Sequence, residues 1–459
     1  MDSELKNRQT YIYIKIGFII ESLREKMDIN TSYKAKNWAK NILFRPAAYA
    51  QPSSEEELIE LVKKHQKIRV IGSGHSWSAL CESDGLLLNL DHLNKIIETD
   101  KTSKFVKVQA GIKLKDLNVL LDEQGLALTN LGSISEQSLA GAISTGTHGS
   151  GIRFQCLASQ VLEFSLITAN GEKIICKKED ELFNAAIISL GTFGIITEMT
   201  LQLTDAYNLH DKTSTRKFTE VIEHLDEYIS NNDHFKLWWL PCCDDVVVYT
   251  YKRTNEAVND SRFRQFMNDQ VLSVLGYRTF VKVGNVVNKW RNPINNFLTS
   301  QMKGPLDRIE KSYKVFNVPE PPLHRETEWA FDVKDAKELL TAYRDLFLSN
   351  TFTYNFIQEI RFTKGDDFWL SECYGRDTIW IGAYNHLDKQ WDNILDSFEK
   401  FAVQHHGRPH WGKEFNVRKD YLAARYPKYA GFLKLRRQLD PQNKFLNKLT
   451  AELFDFADE

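Results

Sequence analysis

Ile68-Arg69-Val70-Ile71-Gly72-Ser73-Gly74-His75-Ser76-Trp77 runs a short apolar strand into a glycine-rich turn. Glycine lets the backbone approach a ligand closely and aim its N–H groups at phosphate oxygens. Two more turns of this texture follow, Gly141-Ala142-Ile143-Ser144-Thr145-Gly146-Thr147-His148-Gly149-Ser150-Gly151 and Gly191-Thr192-Phe193-Gly194. Their serines and threonines add neutral hydroxyl donors. Each turn alone reads equally well as a tight connection between strands. Two or three in one domain point to a dinucleotide with a pyrophosphate. A Rossmann fingerprint would need glycine where Trp77 stands, and no Gly-x-x-x-x-Gly-Lys-Ser/Thr occurs, so neither a Rossmann site nor a P-loop is expected.

Outward from the first turn, residues 36–206 alternate short strands and helices. Pro52-Ser53-Ser54-Glu55-Glu56-Glu57 starts a helix, with a serine cap and acids in the positively polarised first turn. It should run to about His65. Strands are expected at Leu86–Leu90, Phe105–Val108 and Ile195–Leu203, and a helix at Leu114–Glu123 closed by Gly125. Asn170-Gly171 should turn a hairpin between Val161–Ala169 and Glu172–Cys176. From about 207 the aromatic content rises. Phe235–Leu240 and Val246–Tyr251 read as paired strands. Ala336, Leu339, Leu340, Tyr343 and Phe347 fall at helical spacing, as do Trp391, Ile394, Leu395, Phe398 and Ala402. This half predicts an antiparallel sheet covered by helices, an α+β layout. Residues 254–310 show helical pieces with basic residues between them and no clearer pattern.

A chain of 459 residues is too long for one hydrophobic core, so two or three domains are expected. A formal net charge of −2 argues against a nucleic-acid binder. The cysteines Cys81, Cys156, Cys176, Cys242, Cys243 and Cys373 have no zinc spacing, and the adjacent pair suits neither a metal nor an ordinary disulfide. They read as reduced thiols in a reducing compartment, with no metal. Tyr11–Ile14 and Ile16–Ile20, split by Lys15, are too short to span a bilayer, which takes ~20 apolar residues. No small-residue cleavage site follows. An amphipathic helix to about Met27, or an extension from an upstream start, is preferred to a membrane anchor. The expected location is cytoplasmic, with peripheral membrane association as the alternative.

Two clusters in the second half carry candidate chemistry. In Glu359-Ile360-Arg361, strand alternation puts a carboxylate and a guanidinium on one side, which also suits a salt bridge on a half-buried sheet. In Pro409-His410-Trp411-Gly412-Lys413, alternation puts Trp411 and Lys413 on one face with His410 opposite or at a bend. A charged residue beside a packed tryptophan is the plainer alternative.

Together these blocks resemble the sugar-lactone oxidase family of L-gulonolactone, D-arabinonolactone and alditol oxidases, which is of the vanillyl-alcohol-oxidase type. The similarity runs from Asn37-Trp38-Ala39-Lys40 to the end. It passes through Gly72–Ser76, Asn130-Leu131-Gly132-Ser133, Gly141–Gly151, Leu190–Gly194, Glu359–Asp367, Gly407–Lys413 and Leu439-Asp440-Pro441. Residues 1–35, an N-terminal extension, and about 254–310 lie outside it. The resemblance implies a two-subdomain FAD-binding domain over 36–206. A cap or substrate domain would span 207–414, with an antiparallel sheet covered by helices. A segment over 415–459 would return to the FAD domain.

The resemblance also implies roles. His75 would be bonded to the flavin 8α-methyl carbon. Gly72, Ser73, Gly74, Ser76, Ser138, Gly141, Thr145, Gly146, Thr147 and His148 would hold the pyrophosphate and ring. Ile196 would meet the adenine half through its backbone, and His410 would lie near the flavin. Lys413 would take the substrate's hydroxyl proton, its pKa lowered by neighbouring Arg361. Arg361 would stabilise developing negative charge. Glu359 would hold a substrate hydroxyl and Arg361, and Ser133 and Tyr384 would contact the substrate.

Gly132 bears on the electron acceptor. The plant dehydrogenase of the family has alanine there, shielding the flavin from oxygen, so glycine implies an oxidase producing H2O2. Dehydrogenation with another acceptor is the alternative. Gly382 and Tyr384 stand where alditol oxidases place a histidine and a threonine, which favours a lactone over a polyol. Tyr374-Gly375-Arg376-Asp377-Thr378 and Trp411-Gly412-Lys413 look like the alditol type. A non-catalytic flavin-binding protein on the same fold would not need Glu359, Arg361 and Lys413. The expected partners are a sugar lactone or polyol and O2, with no stable protein partner.

Overall fold

The computed structural model describes residues 29–241, 243–259, 293, 306–318, 320–349, 352, 354, 356–386 and 390–454. Ala48–Ala50, Leu86–Asn89 and Ile68–Ile71 form a parallel three-stranded sheet with Leu86–Asn89 in the middle. Leu86, Leu87 and Leu88 are completely buried, as a strand covered on both faces must be. The helix Glu55–Lys64 lays Leu58, Leu61 and Val62 into that core, and Ser54 caps it by accepting from the Glu57 N–H. A second sheet is antiparallel, in the order Lys173–Lys177, Val161–Ile167, Ile195–Gln202, Phe105–Gln109 and Ile96–Asp100. Its Asn170-Gly171 turn needs glycine, because Gly171 has φ of +81° and Lys63 lies against it.

The largest sheet has eight antiparallel strands. Their order is Leu306–Lys311, Asn208–Lys217, Asp245–Thr254, His234–Trp239, Gln358–Thr363, Thr378–His386, His324–Asp332 and Arg408–Pro409. Pairing puts residues opposite one another on the same face. Leu237, Trp239, Ile360, Phe362, Ile379, Ile381 and Trp329 are buried on one face. The helices Ala336–Ser349 and Trp391–Gln404 cover it. Trp239 packs on Tyr343 and Phe347, and the Tyr343 hydroxyl donates to the Gly382 carbonyl at 2.7 Å. The other face is polar and looks toward the first half of the chain.

The last helices, Lys419–Arg425, Tyr429–Leu439 and Lys448–Phe454, fold back against the first half. Phe432 packs on Phe193 with ring centroids 4.7 Å apart. The Lys444 ammonium donates to the Val62 carbonyl at 2.7 Å, and Asn447 donates to the carbonyls of Ala79 and Glu82. The buried guanidinium of Arg69 ties three segments by donating to the carbonyls of Leu80 (2.8 Å), Leu190 (2.7 Å) and Phe445.

One boundary is corrected. Residues 29–35 belong to the folded body: the Asn30 N–H donates to the Tyr49 carbonyl at 2.8 Å, and Tyr33 stacks on Tyr49 at 3.9 Å. The short apolar run at 11–20 lies outside the described residues. So does most of 254–310, whose described ends are the close of one strand and the edge strand Leu306–Lys311. Among the described residues no helix is long and apolar enough to cross a membrane.

Arg69→Met should fill the same space but leave three buried carbonyls without a donor. Each such loss costs about 1–3 kcal/mol. Urea denaturation should therefore show a stability loss of about 3 kcal/mol or more. A loss below about 1 kcal/mol would mean that the guanidinium does not hold these segments together.

Candidate active site

Two hollows meet at the glycine turns. The first is a cleft of about 130 Å³ lined by Gly72–Ser76, Ser138, Gly141, Thr145 and the run Leu190, Gly191, Gly194, Ile195 and Ile196. The turns are pressed together: a Cβ on Gly72 would lie 1.9 Å from the Ser138 hydroxyl, and one on Gly141 would lie 2.9 Å from it. The Gly72, Gly74 and Ser76 carbonyls are held by Asn89 (3.4 Å), the Trp38 N–H (2.8 Å) and Asn37 (2.9 Å). The turn then offers N–H groups and hydroxyls to the cleft, which suits an anion.

The second hollow is a cavity of about 560 Å³ between these turns and the polar face of the eight-stranded sheet. His75, Ser76, Gln137 and Thr145 line both, so the cleft opens into the cavity at His75. Burial pushes the His75 pKa down, which keeps the imidazole neutral with a lone pair available. The nearest carboxylate is Glu320, 3.8 Å from Nε2. An elongated ligand with a phosphate-bearing end and a flat ring fits this shape.

The structure divides the sequence-predicted cofactor residues. Ser138, Gly141 and Ile196 line the cleft, and Ser133, Thr147, His148 and His410 line the cavity. Gly146 has φ of +70°, and a Cβ there would lie 2.4 Å from a Glu372 oxygen, so the turn needs glycine at this position. His148 stacks flat on Trp380 at 3.6 Å, and its Nδ1 lies 3.1 Å from the Gly149 carbonyl. Burial pushes the pKa of both His148 and His410 down.

The reading of Trp411 and Lys413 on one face is also corrected. Strand geometry ends at Pro409, and the chain turns with the Lys413 N–H donating to the His410 carbonyl at 3.0 Å. Trp411 therefore points away, donating to Leu370 at 2.7 Å and stacking on Tyr426. Lys413 reaches the cavity, 4.0 Å above the Trp77 ring.

Across the cavity face of the sheet, charges alternate. Arg308 binds Asp211 at 2.9 Å and Lys236 binds Glu359 at 3.0 Å. Arg361 lies between Glu328 at 2.9 Å and Glu359 at 3.5 Å, and Lys413 binds Glu326 at 2.6 Å. Pairing explains the order, since Lys236 is opposite Arg361, and Glu326 and Glu328 are opposite Tyr384 and Gly382. Lys236, Arg361 and a hydrogen bond from Trp238 hold the Glu359 pKa down to about 2 against its burial. Carboxylates on both sides push the Arg361 pKa up. Lys413 is thus paired with Glu326; Arg361 has carboxylates of its own.

Sequence reasoning missed Lys236, Glu326, Glu328, Asp211 and Arg308. Lys236 was visible as a lysine between apolar neighbours in Phe235-Lys236-Leu237, and Glu326-Thr327-Glu328 as acids at alternate strand positions. The Tyr384 hydroxyl is buried and has no hydrogen-bond partner, and Tyr384 lines the cavity. Gly382 has no room for a side chain, since a Cβ would lie 2.1 Å from the Thr327 carbonyl.

Similarities to known proteins agree with this geometry. The family described as D-arabinono-1,4-lactone oxidase matches residues 199–453, and the family described as FAD binding domain matches residues 46–177. The L-gulono-1,4-lactone dehydrogenase of Mycobacterium tuberculosis is 31% identical over 91% of this chain and 98% of its own. The L-gulonolactone oxidase of Scyliorhinus torazame is 31% identical over 93% of this chain and 100% of its own. The D-arabinono-1,4-lactone oxidase of Candida glabrata is 28% identical over 94% of this chain and 100% of its own. A crystal structure of cholesterol oxidase from B. sterolicum superposes with a TM-score of 0.79 at 15% identity, covering 93% of this chain and 97% of that one, a likeness of fold. The chain thus carries an FAD-binding domain, whose matched residues 46–177 include the glycine turns that line the cleft.

The Glu359 pKa lies below its unfolded value, so its contribution to stability is present above the ordinary carboxylate range and lost as pH falls through about 2. Lys236→Met should raise that pKa and move the acid limb of activity upward by about one pH unit or more. Lys236→Arg should restore it. An unmoved limb in the methionine variant would remove Lys236 from this role.

Proposed function

Because the chain belongs to the D-arabinono-1,4-lactone oxidase family, we propose that it oxidises a CH–OH group of a sugar 1,4-lactone of the L-gulono-, D-arabinono- or L-galactono- type, with O2 as acceptor and H2O2 as co-product. The observation that carries this reading is the set Glu359, Arg361 and Lys413 facing the cavity into which the FAD cleft opens at His75. FAD, when bound, supplies the hydride acceptor and passes the electrons on.

The residues divide the remaining work. Lys413, hydrogen-bonded to Glu326, relays the substrate's hydroxyl proton to that carboxylate. Arg361, fixed by Glu328, is a permanent cation that stabilises negative charge as it develops on the substrate oxygen. Glu359 is ionised and accepts from a neighbouring hydroxyl. Tyr384 and Ser133 supply further hydroxyls. His75 stands at the junction with a neutral ring and would be the residue that carries the flavin, through its methyl carbon.

Each cation of the sheet face has a carboxylate partner, which favours a neutral lactone over an anionic sugar acid. The crowding at Gly382 favours a lactone over an alditol, because the histidine that alditol oxidases carry has no space there. The alternative acceptor is favoured by one similarity, the mycobacterial dehydrogenase. Gly132 supports oxygen: a Cβ there would lie 3.1 Å from the Thr147 methyl on the cavity wall.

A peroxide assay over 1,4-lactones and alditols tests the reaction. H2O2 formation with a lactone is expected; turnover with a dye but not O2 would make the protein a dehydrogenase. Lys413→Ala and Arg361→Ala should each lower kcat about a hundredfold or more. His75→Ala should release yellow flavin into the supernatant on acid precipitation, whereas the parent protein should keep it in the pellet.

A further inference from the structure

The reacting groups occupy only part of the charged wall. Asp211 and Arg308 line the same cavity, yet they stand on strands well away from Arg361. Counting along the sheet, the strand of Asp211 is the third beyond that of Arg361. At about 4.8 Å per strand this is roughly 14 Å. An extended carbon chain advances roughly 1.2 Å per bond, so a six-carbon sugar with its terminal hydroxyl reaches about 7–8 Å. A single lactone held by Arg361 and Lys413 therefore ends near Lys236 and Tyr249 and leaves Asp211 untouched.

The far end is nevertheless built with buried polar groups. The Asp211 side chain is 3% exposed; its carboxylate takes the Arg308 guanidinium at 2.9 Å and the Thr213 hydroxyl at 3.4 Å. Burying an ion pair costs more than burying apolar residues of the same volume. Between this pair and the reacting groups lie Trp238 and Tyr249, packed edge to face at 4.8 Å. Carboxylate, guanidinium and hydroxyl beside aromatic rings form a surface that suits a hydroxylated ring.

We propose that Asp211, Thr213 and Arg308 form a distal subsite for a second sugar ring, so that the cavity takes an aldonolactone glycosylated at the end farthest from the reacting carbon. The proposal rests on the lactone reading above. The lactone ring lies against Arg361 and Lys413, its exocyclic chain passes Lys236, and the added ring stacks beside Tyr249 and bonds to Asp211 and Thr213.

Steady-state kinetics with a matched pair test it: L-gulono-1,4-lactone, and the same lactone carrying galactose on O6. The glycosylated lactone should show a KM about tenfold lower. Asp211→Asn should lower its kcat/KM about tenfold more than that of the parent lactone. Thr213→Val, a smaller change that keeps the ion pair, should act in the same direction. Oxidation of the parent lactone with a glycosylated KM equal or higher would overturn the subsite alone. Equal losses on both lactones in both variants would do the same. If no lactone of any size is oxidised, the lactone reading itself fails and the subsite with it.

Discussion

The alternating charges on the polar face of the eight-stranded sheet are the constraint around which the second half is organised. Arg308, Asp211, Lys236, Glu359, Arg361 and Glu328 lie on five of seven successive strands, with Glu326 on the strand of Glu328 meeting Lys413. Such a row is costly to bury and tolerable only as a set. Removing one partner leaves its neighbour uncompensated, at about 3–5 kcal/mol. The apolar face supplies the stability that the polar face consumes. Trp239, Trp329, Ile360, Phe362, Ile379 and Ile381 are buried beneath two long helices, so that the sheet can hold charges on its other side.

Position of that face relative to the cofactor is set from the first half and from the end of the chain. The Trp77 N–H donates to the Gly412 carbonyl at 2.7 Å, and the Ser78 hydroxyl to the Trp411 carbonyl at 2.7 Å. The strand Asn208–Lys217 leads directly out of the second sheet, and the Ser150 hydroxyl donates to the Phe235 carbonyl. The glycine turns thus fix the cleft and the near wall of the cavity together. Gly72 and Gly141 have no side chain because Ser138 fills the space one would take, and that contact brings two turns about seventy residues apart onto one ligand.

What the sequence discloses follows from how local each cause is. Turns are legible because glycine and serine leave a signature within a few residues. Glu359 and Arg361 share a face because alternation in one strand demands it. Helices at Ala336–Ser349 and Trp391–Gln404 are legible from spacing alone. The partner of each charge is not, since it depends on which strands become neighbours. Lys236 and Glu359 are 123 residues apart, and Glu326 meets Lys413 only because a turn ends the strand at Pro409. That turn also explains Trp411: alternation holds inside a strand and says nothing once the backbone bends. Asn30 and Tyr33 were invisible for the same reason, as their partner Tyr49 identifies itself only after folding.

The pairing of every cation with a carboxylate decides how this cavity selects a ligand. A surplus guanidinium or ammonium would draw anions over long distances, and an open-chain sugar acid would then compete with its lactone. With Arg308, Lys236, Arg361 and Lys413 each paired to a carboxylate along the wall, and Glu320 beside neutral His75, the wall shows no surplus of positive charge. Selection falls to short-range geometry, in which each hydroxyl meets one oxygen or one N–H at hydrogen-bond distance. A neutral, rigid, polyhydroxylated ring gains most from such a wall, because its hydroxyls are already fixed in direction and little entropy is lost on binding. On the proposed lactone reading, Arg361 would act as charge appears on the substrate oxygen, since a neutral lactone carries none to attract it beforehand.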